Sequence, residues 1–333
     1  MATSTIAEAM ELVKIYRKQN IPSCMLGPPG IGKTLGVEQI TIEEKTCLKY
    51  LELSTLESID LRGLPSIDQE REIVKWIPPE MLPSEDRDGK KGILFLDEMN
   101  VGHPSVQAAC MPLVQFGRIG SYRLPKGWYI VAAGNRQSDR ASAQKIPTAL
   151  ADRFGFIFVE PDKDAWVEWA NKNGVNPMIV AFIRWRPELL HKMDEADQIV
   201  FPTPRSWMKA SLVCDIERTD LRFRAVAGVV GDGAASEYEG FYRTVKSLPE
   251  MDDIIKNPST AMIPDEPSAL YAVSTGLARM ANKTNFKNVM TYAQRLDVEF
   301  EIITAIDATK QDPDLCDHKA YIQFAKRNKE IQI

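Results

Sequence analysis

The sequence predicts an α/β chain: a parallel-sheet core over residues 1–160, an all-helical segment over 161–256, and a further helical extension over 257–333. Three observations predict it. Gly27-Pro28-Pro29-Gly30-Ile31-Gly32-Lys33-Thr34 matches the phosphate-loop pattern G-x-x-x-x-G-K-[ST], which joins a buried strand to a helix. Ile93-Leu94-Phe95-Leu96 is a short apolar run ending in Asp97-Glu98, the signature of a buried parallel strand that carries acids out at its C-terminal edge. After Glu160 the chain changes from short apolar runs to capped helical patterns.

A length of 333 residues suits two or three domains, and 44 % apolar with 26 % charged residues is ordinary globular composition. A formal net charge of −5 argues against broad attraction to nucleic acid. No apolar run approaches the roughly 18 residues of a membrane span, and the N-terminus lacks a basic-then-apolar layout, so a cytoplasmic protein is expected. Cys24, Cys47, Cys110, Cys214 and Cys316 are scattered, without CxxC, and read as reduced thiols. With only His103, His191 and His318 beside them, no His/Cys metal spacing is present.

Taken in order, Thr5 to Gln19 reads as an amphipathic helix, with Thr5 and Glu8 at capping-box spacing and Ile6, Met10, Val13 and Tyr16 on one face. It serves either a base pocket or the scaffold. Cys24-Met25-Leu26 reads as a strand. In the loop that follows, the glycines let backbone N–H groups turn inward toward phosphate oxygens. Lys33 reaches the β- and γ-phosphates, and the Thr34 hydroxyl is placed to ligate Mg²⁺. Leu35 to Glu43 forms the helix whose N-terminus adds free donors, with Leu35, Val37 and Ile40 as its apolar positions.

Leu48 to Leu53 alternates as a second strand. Residues 54–84 are long for a crossover. Leu61-Arg62-Gly63-Leu64-Pro65 is expected to break any helix, and Glu72 to Trp76 reads as one arm of a hairpin. The segment is either a surface excursion or an inserted hairpin that touches a partner. On the Asp-Glu strand, Asp97 is the expected Mg²⁺ holder opposite Thr34, and Glu98 the base that polarises a water.

His103 to Phe116 reads as a helix with His103 at its start, Pro104 in its first turn and Pro112 expected to disturb its end. Arg118 to Leu124 has hairpin character. Trp128 to Asn135 is another buried strand, and Asn135 at its end can orient a water beside the γ-phosphate or simply make a turn. A short helix around Pro147 to Ala151, then Asp152-Arg153-Phe154 and a last strand, Phe156 to Val159, close the core.

Asp162 to Asn173, a segment from Asn176-Pro177, and one from Thr203-Pro204 carry helix caps. Arg205 in that last first turn opposes the helix dipole, which an anion would relieve. It is a phosphate-sensor candidate or an exposed helix-start arginine. Helices are further expected around 237–246, 268–281 and 298–309, with a proline-rich linker over 257–268.

The order of loop, Asp-Glu strand, Asn strand, Arg-Phe and Pro-Arg helix resembles the AAA+ ATPases, in particular the MoxR-like group, over about residues 5 to 215. The resemblance implies an ATP-binding P-loop NTPase core with a helical lid. Gly27, Pro28, Pro29, Gly30, Ile31, Gly32, Lys33, Thr34 and Leu35 would hold the nucleotide, and Thr34 and Asp97 the Mg²⁺. Glu98 and Asn135 (sensor 1) would hold the water, Arg205 would be sensor 2, and Arg153 or Arg140 would be the finger reaching a neighbouring subunit's nucleotide. Residues 54–84 and 118–125 fall where this group carries insertions that face a pore or a client. Trp76-Ile77-Pro78-Pro79-Glu80 departs from the group in lacking Pro-Gly after the aromatic, and the chain runs past the usual lid. The resemblance implies a homo-oligomeric, hexameric ring that hydrolyses ATP and remodels a protein client, often a von Willebrand A-type protein. Two other functions compete with it. One is a nucleic-acid motor with Arg118, Arg123 and Lys126 along a pore, and the other is a nucleotide-gated module with little turnover.

Overall fold

The computed structural model describes residues 2–70, 72–136, 139, 144–193, 199–248 and 250–328. The chain divides into two compact units, residues 1–162 and 163–333.

The first unit runs β1 (Thr3–Ser4), α1 (Ile6–Lys18), β2 (Ser23–Leu26), α2 (Lys33–Glu44), β3 (Cys47–Glu52), α3 (Ser58–Arg62), β4 (Leu64–Asp68) and β5 (Ile73–Ile77). It continues with α4 (Glu85–Asp88), β6 (Lys91–Asp97), α5 (Pro104–Phe116), β7 (Arg118–Ile119), β8 (Tyr122–Arg123), β9 (Gly127–Gly134), α6 (Thr148–Ala151) and β10 (Gly155–Val159). A six-stranded sheet of order β1-β10-β2-β9-β6-β3 is parallel at every pairing. The chain is α/β with a parallel core, as the apolar runs predict.

Those runs are continuous because the central strands are covered on both faces. In β6, Leu94 and Leu96 pack into one core cluster while Ile93 and Phe95 pack into the opposite one, all four fully buried. β9 divides in the same way, Ile130 and Ala132 against Tyr129, Val131 and Ala133. Each large side chain so buried stabilises by about 1.5–3 kcal/mol. Register then sets the site: Leu26 pairs with Gly134 and Leu96 with Ala132, so β2, β9 and β6 end together.

Several local expectations hold. Thr5 and Glu8 form the capping box of α1, and the His103 side chain caps α5 by accepting from the Ser105 N–H. The break expected over Leu61 to Pro65 is also present: α3 ends at Arg62, against Gly63, whose φ of +82° a side chain would strain. One expectation is corrected. Pro112 does not disturb α5, which runs unbroken to the expected Phe116, carried by buried Leu113 and Val114, and stops at left-handed Gly117. The segment 54–84 does contain a hairpin, β4 antiparallel to β5, and it leaves Leu64, Ile67, Val74 and Ile77 exposed.

The second unit is helical: α7 (Lys163–Lys172), α8 (Pro177–Trp185), α9 (Pro204–Ala210), α10 (Thr219–Val230), α11 (Asp232–Lys246), α12 (Met251–Lys256), α13 (Pro267–Met280), α14 (Phe286–Ala293), α15 (Val298–Gln311) and α16 (Lys319–Arg327). Asn176 and Thr203 cap α8 and α9, with Pro177 and Pro204 in their first turns. Phe182, Trp207, Tyr238 and Phe241 form an aromatic core, each ring within 6.4 Å of another. Residues 257–266 link α12 to α13, and α13 packs on both α8 and α15. Among the described residues no helix is long and apolar enough to cross a membrane.

Candidate nucleotide-binding site

The loop between β2 and α2 is shaped by its glycines. Gly30 and Gly32 take φ of +79° and +98°, and Gly32 caps α2 without a side chain, leaving the first-turn N–H groups facing the loop. Gly27 lies against β10, where a Cβ would fall 2.4 Å from the Val159 carbonyl oxygen. The first turn of α2 holds no acid, so nothing on it competes with an anion. Ile31 is buried, whereas Leu35, expected on the apolar side of the helix, is 47 % exposed.

Lys33 is buried as well, its side chain turned onto the loop. Its ammonium donates to the carbonyls of Gly27 at 2.7 Å and Pro28 at 2.9 Å, and to Asn135 Oδ1 at 3.2 Å. The last contact joins residues 102 positions apart and brings the strand-end asparagine to the loop lysine. Thr34 Oγ1 donates to Asp97 Oδ2 at 3.0 Å, and Asp97 Oδ1 accepts from the Glu98 N–H at 2.8 Å. Glu98 follows in the left-handed region at φ +52°, an uncommon conformation for a non-glycine residue, and turns the chain sharply off the end of β6.

Tyr50 is an addition that sequence reasoning missed. From β3, which pairs with β6, its hydroxyl donates to Asp97 Oδ2 at 3.3 Å. Burial, with the Asp97 and Glu52 charges, pushes the Tyr50 phenol up to about 12. Asn100 is a second. Buried to 3 % exposure, its side chain accepts from the Asn135 N–H at 3.2 Å and donates to the Asn135 carbonyl at 2.5 Å. A third is the anchoring of Arg136, whose guanidinium is held by Asp139 and Glu160 and raised above its ordinary pKa, chiefly by Glu160. Pairing of β6 with β9 was the signal for Asn100, since it carries residues just past each strand to one edge.

Arg153, Arg205 and Arg140 are the other expected residues. Arg153 follows α6, its guanidinium donating to Gln115 Oε1 at 2.9 Å and to the Ala149 carbonyl. Arg205 is exposed in the first turn of α9, in the second unit. Arg140 lies outside the described residues.

The donor set fits Mg²⁺. That ion takes one or two carboxylates with phosphate oxygens and water rather than an all-protein cage. Asp97 beside the Thr34 hydroxyl offers such a half-site, and among the described residues no group of three His, Cys, Asp or Glu side chains forms a closed cage.

A glycine-shaped loop from a parallel strand, with its lysine and threonine meeting an acid and an asparagine from neighbouring strand ends, defines a phosphate-loop core of the α/β class. Residues 22–154 match the family model described as AAA domain (dynein-related subfamily). Comparison with curated proteins finds no match. Among solved structures the chain is similar to a lysine-to-arginine mutant of Thermotoga maritima RuvB, at 17 % identity over 82 % of this chain and 79 % of that one, TM-score 0.39. It is also similar to the Thermotoga maritima RuvB Holliday junction branch migration motor, at 15 % identity over 87 % and 86 %, TM-score 0.38. NtrX from Brucella abortus in complex with ADP gives 14 % identity over 95 % and 68 %, TM-score 0.40.

Proposed function

We propose that the chain is an ATP hydrolase that works as a hexameric ring of the MoxR-like kind and remodels a protein client in the cytoplasm. The observation that carries the hydrolytic part is the pair of contacts Thr34–Asp97 and Lys33–Asn135, which gathers the metal-side and phosphate-side groups at one strand edge. When bound, Mg²⁺ supplies charge neutralisation at the β- and γ-phosphates. Lys33, freed from the loop carbonyls, binds those phosphates, and the loop N–H groups orient them. Glu98 accepts a proton from the attacking water, which Asn135 holds in line.

On this reading Arg153 serves the neighbouring subunit's site, and Arg205 reads the phosphate from a lid formed by residues 161–256, with 257–333 as its extension. The exposed apolar residues of the β4–β5 hairpin support a protein client, a von Willebrand A-type partner among them.

The test is Glu98→Gln. It should bind ATP as wild type does and release phosphate about 10²–10⁴-fold more slowly. Full turnover in the variant would remove Glu98 from the mechanism.

One observation favours a nucleic-acid motor instead. A cleft bounded by the 78–91 segment and β8 is lined by Arg87, Lys90, Lys91, Arg123 and Lys126, with Glu85 as its acid. Stimulation of phosphate release by DNA, falling steeply with salt, would favour that reading.

A further inference from the structure

Asn100 stands two residues beyond Glu98, where the chain has left β6. The Met99 N–H still donates to the Ala133 carbonyl at 2.8 Å, extending the β6–β9 ladder by one step. The Glu98 carbonyl then accepts from Val101 and Gly102 at 2.9 and 3.1 Å, closing a tight turn. That turn buries the Asn100 side chain against the end of β9.

Its amide there does what a neighbouring strand would do. Oδ1 accepts from the Asn135 N–H, and Nδ2 donates to the Asn135 carbonyl, so both main-chain groups of Asn135 are held by one side chain. The second N–H of Nδ2 faces the Gln144 carbonyl at 3.4 Å, and the Gln144 N–H donates to the Asn100 carbonyl at 2.8 Å. Gly134 makes room for this: a Cβ at that position would fall 2.4 Å from Asn100 Oδ1.

No other small side chain meets these demands. Aspartate could accept from Asn135 but would set a carboxylate against two carbonyl oxygens. Leucine has the size and leaves the main-chain groups of Asn135 unpaired in a half-buried place.

We infer that Asn100 is a positioning residue for hydrolysis: it fixes the backbone of Asn135 relative to the Glu98 turn, so that the two side chains address the same water. The inference rests on the hydrolytic reading of Glu98 and Asn135. Asn100 acts through Asn135, whose main chain its side chain holds. Misplacement of a water-holding group by about 1 Å costs on the order of 10²-fold in rate.

The experiment is steady-state phosphate release and nucleotide affinity for wild type, Asn100→Ala, Asn135→Ala and the double variant. Asn100→Ala should lose about 10²-fold in kcat with nucleotide Kd held within about threefold, and the double variant should be little slower than Asn135→Ala alone. Gly134→Ala, which keeps both asparagines and crowds Oδ1, should reproduce the kcat loss and serves if Asn100→Ala does not fold. Wild-type kcat in Asn100→Ala or Gly134→Ala, or losses that multiply in the double variant, would overturn the inference alone. Absence of phosphate release from wild type would overturn the hydrolytic reading, and this inference with it.

Discussion

The Thr34 hydroxyl donates to Oδ2 of Asp97 at 3.0 Å, although Thr34 opens the helix after β2, Asp97 ends β6, and β9 lies between those strands in the sheet. Such a contact places a hydroxyl and a carboxylate where one small cation can use both. Asp97→Asn should therefore bind nucleotide equally well with Mg²⁺ or with a chelator, whereas wild type should bind at least about tenfold more tightly with Mg²⁺, a difference of about 1.4 kcal/mol. Calorimetric titration in the two buffers checks this. A variant that keeps the Mg²⁺ increment would move the metal away from Asp97.

Arg153 makes its contacts with Gln115 and the Ala149 carbonyl at a partly exposed position. Arg153→Ala should change stability by no more than about 0.5 kcal/mol. Phosphate release should fall by about 10³-fold, the scale of a missing finger. Mixing Arg153→Ala with Glu98→Gln subunits should restore part of the rate, since each supplies what the other lacks. Undiminished release by Arg153→Ala alone would exclude the role.

In the second unit, Arg184 and Asp307 form a buried pair at 2.6 Å, with Thr275 accepting from the same arginine. The pair ties α8 to α15 and α13. Removing one partner strands a buried charge, so Asp307→Ala should cost about 3–5 kcal/mol in urea unfolding followed by tryptophan fluorescence. Breaking the exposed Lys172–Glu168 pair should cost less than about 1 kcal/mol.

Alkaline pH should destabilise the first unit. Burial pushes the thiols of Cys24 and Cys110 and the phenol of Tyr129 up to about 12, from ordinary values of 9.0, 9.0 and 10.0. Below about pH 9 both folded and unfolded chains keep these protons, and stability is unaffected. From about pH 9 for the thiols and about pH 10 for the phenol, up to about pH 12, the unfolded chain releases protons that the folded chain retains, and each group then removes about 1.4 kcal/mol per pH unit. Urea midpoints should be flat from pH 7 to 8.5 and fall above. In the folded chain Cys316, which is exposed, should react with a thiol reagent while Cys24 and Cys110 do not.

Much of this was legible in the sequence because it is local. Caps at Thr5, Asn176 and Thr203 depend on residues two or three positions away, and the apolar runs of β6 and β9 declare their burial directly. Thr34 and Asp97 could be set opposite one another in advance because a parallel sheet brings strand ends to one edge, whereas the Lys33–Asn135 contact came from the structure. What escaped depends on distant contacts or on packing. β1 is two residues long and exists only by pairing with β10. Asn100 looks like any turn asparagine until β9 arrives beside it. Pro112, expected to disturb the end of α5, does not, because the buried residues after it outweigh its poor helix propensity.

Phosphate release from Mg²⁺-ATP, measured per subunit across protein concentration with the molecular mass recorded alongside, tests the shared-site ATPase most directly. The account predicts a rate per subunit that climbs with concentration as the mass shifts toward that of a hexamer in ATP. A rate per subunit that stays constant from a persistent monomer, or no release at any concentration, would contradict it.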